Sequence, residues 1–332
     1  MQAQIIINAA GPWIDIVNHS FNHKTEYIGG TKGSHLVLNH PELRQAIGEN
    51  EFFFENKDGR IVLIYPFLKR VLVGTSDLPI NDPDQAVCTE EEIDYFLSMI
   101  KIVFPKIAIS REQIAFQFSG VRPLPASNSA VPGQISRDHQ IAVFRTEGFI
   151  TNMPVLNLIG GKWTAFRAFA EQAANQVLTY LGRERVVNTD ALAIGGGRAF
   201  PLDPEAQQFW LENLAKESGL GLVQLSKWLD RYGTLSAELV RFILLEPDQP
   251  LKHHPDYSMR EILWLIERES VVHLEDILMR RTQIGMQGEI TFEGVEEICR
   301  IAADGMAWTE EEQFEEIERL KNMLSAKHGI KL

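Results

Sequence analysis

The 332-residue chain carries only two cysteines, Cys88 and Cys299. They are too few for a disulfide framework or a thiolate zinc site, so a reducing cytoplasm is the expected setting. No apolar run approaches the roughly 18 residues that a membrane span needs. The opening MQAQIIINAAGPW lacks the basic n-region of a secretory signal. Positive charge is scarce: 32 Lys and Arg against 45 Asp and Glu give a net charge of −13, which argues against a nucleic-acid surface or a broad anionic-membrane patch. A local basic pocket remains compatible with that balance. A dinucleotide fingerprint is missing, since Gly195–Gly197 follows no strand pattern and Gly219–Leu220–Gly221 opens no βαβ unit. Ser34 and Ser119 have no nucleophile-elbow context, and His253–His254 lacks metal-site spacing and reads as solvated.

What is present is an ordinary globular composition, 45% apolar and 23% charged, with enough length for two domains. Gln4–Asn8 reads as a buried strand and Ala9–Pro12 as its exit turn. A buried parallel strand needs sheet neighbours on both sides, so the chain is expected to be the C-terminal portion of a longer protein. Trp13–His19 predicts a short helix, and Thr31–Leu38 a strand broken at Gly33–Ser34 just before His35. Phe52–Phe54, Ile61–Phe67 and Val71–Thr75 predict an antiparallel meander, with an Asp58–Gly59 hairpin signal between the first two. Thr89 caps a helix to about Val103, and strands are expected at Ile114–Phe118, Gln140–Phe144 and Val155–Ile159. Residues 125–133 have the composition of a surface loop.

Strand signals cease near Gly182. Seven amphipathic segments follow, near 204–217, 221–231, 235–244, 258–268, 271–284, 291–303 and 309–325. The expected fold class is therefore α+β, with a mostly antiparallel sheet domain over 1–182 and an all-helical domain over 183–332. The acidic run Glu310–Glu318 reads as a solvated helix face.

The stretch with the most chemistry is Leu156–Arg167, LNLIGGKWTAFR. A strand feeding a helix through Gly160 and Gly161 lets a ligand approach bare backbone, and the first helical amides, with Lys162, favour an anion. An ordinary turn with a solvated lysine fits the same residues. Three further titratable side chains are expected at turns beside glycine or near strand ends: His35, Arg122 and Arg137. Two arginines and a lysine suit a phosphate, and His35 a general base, while surface ion pairs and a structural histidine are the alternatives.

Taken in order, Asn8–Trp13, Lys32–His35, Val73–Asp77, Ser119–Leu124, Ser136–Asp138 and Gly160–Thr164 closely resemble the FAD-dependent glycerol-3-phosphate dehydrogenases of the D-amino-acid-oxidase-like flavoproteins. Arg231–Gly233 and Glu275–Thr282 resemble that family's C-terminal domain. The resemblance implies FAD as cofactor, with the first domain holding a remnant of the FAD-binding domain and the pyrophosphate-binding segment lying upstream. It implies that this portion binds FAD weakly or not at all by itself. It implies oxidation of sn-glycerol 3-phosphate to dihydroxyacetone phosphate, with His35 as base, Arg122 and Arg137 on the substrate, and Lys162 beside the flavin. Ala9, Ala10, Gly11, Gly160, Gly161 and Thr164 match cofactor-contacting positions. A quinone as electron acceptor and a peripheral contact with the inner face of the cytoplasmic membrane are also implied. Two alternatives share the motifs: an oxygen-reacting glycerophosphate oxidase, and a truncated non-catalytic binding protein that keeps the fold. The family's Thr-Thr-Tyr-Arg is here Thr164–Ala165–Phe166–Arg167, so two hydroxyls are lost.

Overall fold

The computed structural model describes residues 3–56, 59–126, 138–146, 152–160 and 162–332. Arg137, Gly161, Lys57 and Asp58 of the hairpin turn, and most of the 125–133 loop lie outside them. The chain forms two compact units, one of residues up to Asp190 with Leu324–Ile330, the other of Ala191–Met323 with the last two residues.

The first unit contains two sheets. In chain order its elements are β1 (Ile6–Asn8), α1 (Ile14–Ser20), β2 (Thr31–Leu38), α2 (Pro41–Ile47), β3 (Phe52–Glu55), β4 (Ile61–Phe67), β5 (Arg70–Gly74), β6 (Leu78–Pro79) and α3 (Glu90–Val103). β7 (Ile114–Arg122), β8 (Gln140–Arg145), β9 (Pro154–Ile159) and α4 (Phe166–Tyr180) follow. The smaller sheet has the order β1-β9-β8, with β1 parallel to β9 and β8 antiparallel to it. The larger sheet runs β3-β4-β5-β2-β6, with β7 also paired to β2, and all its pairings are antiparallel.

Alternation along β2 decides what each face does. Leu36 and Leu38 join Val62, Ile64, Val71 and Val73 in a buried layer. Ile93, Phe96 and Ile100 of α3 close this layer at helical spacing. Thr89 and Glu92 form a full capping box at the start of α3. The odd-numbered residues of β2 face the other way.

Several expectations need correction. β2 is continuous through Gly33 and Ser34, because both stay in antiparallel register with Gly120 and Ser119. His35 therefore stands inside a strand and not at a turn, while Arg122 is the last residue of β7, as expected of a strand end. α2 was not foreseen in the sequence; it is one short helix with Pro41 in its first turn and the His40 ring accepting from Leu43 N.

The second unit, among the described residues, has helices and no named strand. They are α5 (Pro204–Ser218), α6 (Leu222–Tyr232), α7 (Ser236–Ile243), α8 (Met259–Arg268), α9 (Phe292–Met306) and α10 (Glu310–His328), whose residues from Leu324 on count with the first unit. The expected 271–284 helix is only a π-helical stretch, Asp276–Arg281, ended where the Thr282 hydroxyl donates to Ile277 O. His254 is buried rather than solvated: it sits against Gly294 at the start of α9, and burial depresses its pKa. No helix among the described residues is long and apolar enough to cross a membrane.

Candidate functional site

Two groups of predicted residues come into view at the ends and faces of the first unit's sheets. The first lies where β1 and β9 end. Their parallel register pairs Asn8 with Asn157, so the turns that follow both strands leave the same edge of the sheet. Asn8 is buried and ties this exit together: its amide donates to Ile14 O, Asn18 Oδ1 and Asn157 Oδ1, and its oxygen accepts from Ala10 N. Ala9, Ala10 and Gly11 occupy one turn, and Gly160, Lys162 and Thr164 the other.

Gly11 has φ +57 and Gly160 φ +71, values that disfavour side chains. A Cβ on Gly11 would meet nothing within 4 Å, whereas one on Gly160 would lie 2.9 Å from Asp138 O. Beyond Gly160, Lys162 and Thr164 are exposed, and neither the Trp163–Ala165 turn nor α4 has a side-chain N-cap; Ala165 N and Phe166 N instead donate to Lys162 O and Trp163 O. Arg167, next in the helix, is already engaged by Glu171, Thr189 and Asp190.

The second group lies on the outward face of the larger sheet. Direct register pairs place Thr31, Gly33 and His35 of β2 beside Arg122, Gly120 and Phe118 of β7, with Gly74 of β5 on the other side of His35. Three glycines thus floor the space around one histidine and one arginine. The His35 ring stacks on Phe118 at 4.9 Å, and a Cβ on Gly74 would fall 2.6 Å from its Nε2. Its Nδ1 is buried with no hydrogen-bond partner. Burial, and then the nearby Arg122 charge, push the His35 pKa down to about 4. His35 is therefore the free base at neutral pH.

Arg122 crosses Gly33, where a Cβ would lie 2.6 Å from Nη1. Its Nη1 donates to Ser76 O and Asp77 Oδ1, both at 3.2 Å, and its Nη2 to Thr75 Oγ1 at 2.8 Å. The residues Thr75–Asp77 were legible only as part of a motif. Nothing in their types alone announced a guanidinium clamp.

The two groups are neighbours. Gly11–Trp13 lies against β7, and Gly160 is 3.5 Å, measured from an added Cβ, from Pro125, three residues beyond Arg122. Arg137 and Gly161 cannot be placed, as they fall outside the described residues. A cavity of about 620 Å³ lined by Gln4, Arg145, Met153 and Tyr180 sits by the opposite ends of β1 and β9 and holds none of the predicted residues. Among the described residues no cluster of His, Cys, Asp and Glu could hold a metal.

Sequence comparison supplies the class of protein to which this glycine-carved sheet face and the two parallel strand ends belong. Residues 1–167 match the family described as FAD dependent oxidoreductase, and residues 187–313 match the C-terminal domain of alpha-glycerophosphate oxidase. The chain belongs to the FAD-dependent oxidoreductase family, whose cofactor is FAD. It is 29% identical over 331 residues to a glycerol-3-phosphate dehydrogenase of Synechocystis sp., covering 95% of this chain and 58% of that protein. It is 28% identical to a D-erythritol 1-phosphate dehydrogenase of Brucella abortus, covering 85% of this chain and 55% of that protein. The fold matches the glycerol-3-phosphate dehydrogenase of Bacillus halodurans complexed with FAD at a TM-score of 0.79, with 22% identity, over 98% of this chain and 63% of that one. The chain thus spans somewhat over half the length of the curated relatives it matches.

Proposed function

We propose that this chain supplies the substrate side of an FAD-dependent dehydrogenase that oxidises sn-glycerol 3-phosphate to dihydroxyacetone phosphate. The observation that carries it is the pairing of a neutral, buried-edge histidine with a clamped arginine on one glycine-floored face. Arg122, with Arg137, would hold the phosphate and hydroxyls. His35 would take the C2 hydroxyl proton as the C2 hydride departs. FAD, when bound, supplies the hydride acceptor. Ala9, Ala10, Gly11, Gly160, Gly161 and Thr164 would seat it, and Lys162 would oppose the negative charge that accumulates there. Quinone as the final acceptor, reached at the inner face of the cytoplasmic membrane, completes the reading.

Anaerobic titration with glycerol 3-phosphate of the longer, FAD-loaded protein that includes this chain should bleach the flavin absorbance. Failure to bleach with this substrate, while erythritol 1-phosphate succeeds, would move the assignment to a longer polyol phosphate. The match of residues 187–313 to a glycerophosphate oxidase domain supports a second reading, oxygen as acceptor. Stoichiometric peroxide without reduction of a quinone analogue would favour it.

A further inference from the structure

Behind the glycine floor, on the inward face of β2, lies a charged cluster that the proposed reaction leaves unused. Lys32 and Glu92 are 7% and 3% exposed and meet at 2.6 Å. Glu92 also accepts from Ser34 Oγ at 2.9 Å, Ser76 Oγ at 2.5 Å and Thr89 N at 2.8 Å. Lys32 donates in addition to Val87 O. Burial acts to raise the Glu92 pKa, but hydrogen bonds from Lys32, Ser76, Thr89 and Ser34 reverse this and hold it below the usual carboxylate range. The group is ionised at neutral pH, with every contact satisfied. Desolvation largely offsets the attraction in such a pair, so net stability is a poor account of it. Its connections are more informative.

Ser76 is the link. It is fully buried, its hydroxyl donates to Glu92 while accepting from Ser34 N, and its own carbonyl accepts from Arg122 Nη1. Thr75 and Asp77, on either side, also accept from Arg122. One carboxylate on the inward face therefore anchors the segment that clamps the arginine on the outward face.

We propose that Glu92 is a positioning residue: through Ser76 it fixes Thr75–Asp77 and thereby holds the Arg122 guanidinium over Gly33 beside His35. The proposal rests on the proposed function only in treating Arg122 as a substrate anchor. The coupling itself is measured without substrate.

The test uses NMR of the full chain, following the Arg122 guanidinium signals and the His35 titration. Ser76→Ala removes the link and leaves the Lys32–Glu92 pair and the α3 cap in place, Ser76→Thr keeps the hydroxyl, and Arg122→Ala marks the end point for His35. In Ser76→Ala and Glu92→Ala the guanidinium signals should merge through faster rotation. The His35 midpoint should rise toward the Arg122→Ala value. Ser76→Thr should restore both. Unchanged Arg122 signals and an unchanged His35 midpoint in Ser76→Ala, where Arg122→Ala does shift His35, would overturn the proposal. If Glu92→Ala does not fold, Ser76→Ala decides alone. Absence of glycerol 3-phosphate binding to the unsubstituted, FAD-loaded protein would remove the proposed function and leave this coupling standing.

Discussion

At position 33 a single hydrogen separates a clamped arginine from a displaced one. A methyl group there would overlap the end of the Arg122 side chain, and that end is flexible enough to swing away. Gly33→Ala should therefore leave thermal stability within about 1 kcal/mol of the unsubstituted protein. It should weaken glycerol 3-phosphate binding about tenfold or more, the scale of one charged hydrogen bond. Equal losses in melting temperature and affinity would contradict this. His35 makes a second prediction. Its folded pKa, about 4, lies below the ordinary 6.5, so between those values the unfolded chain binds more protons than the native one. The stability due to the neutral ring is fully present above pH 6.5 and is lost as pH falls through the window to about 4. Urea unfolding at pH 7 and pH 4.5 should show this loss, and His35→Gln should reduce it. The base form also survives at pH 5 to 6, so flavin reduction by glycerol 3-phosphate should persist there.

At the scale of elements, α3 and the sheet it covers should dominate the stability of the first unit. Phe96 is fully buried against the larger sheet, and Phe96→Ala should cost about 3 to 5 kcal/mol by leaving a cavity that the surrounding strands cannot close. Thr89→Ala, which breaks the capping box, should cost about 1 kcal/mol. Chemical denaturation of both variants would rank them. α3 was legible because its 3.6-residue apolar period and its Thr89 cap are local signals. The meander was legible through strand alternation and the Asp58–Gly59 signal. β2 was misread at Gly33 because a glycine that makes room for Arg122 looks like a strand breaker until the partner strand is known. α2 escaped because seven residues carry too little periodicity. Glu92 carried no signal of its own in the sequence, because its reach to Ser76, 16 residues earlier, is tertiary. His35 and Arg122 were singled out from their glycine and proline neighbours, but their shared face depends on the register between β2 and β7.

For the whole molecule, the two cysteines are placed to report on each unit separately. Cys88 is 7% exposed in the first unit and Cys299 is 1% exposed in the second. Burial, and then Glu92, push the Cys88 thiol up to about 12; burial, and then Glu316, push Cys299 up to about 11. Thiolate, the reactive form, is therefore scarce at neutral pH, and access is closed as well. Iodoacetamide should label neither residue in the native protein. Each unit has a buried core of its own, the first between the larger sheet and α3, the second around Leu225, Leu239, Ile262, Ile277 and Ile298. Separate cores let each unit unfold as a cooperative unit of its own. Rising guanidinium chloride should thus expose Cys88 and Cys299 at different concentrations, resolved by mass spectrometry of the labelled peptides. Labelling of both thiols in one coincident transition would mean that the two units share a single cooperative unfolding step, and native labelling of Cys88 would show that the Lys32–Glu92 cluster beside it is open to solvent.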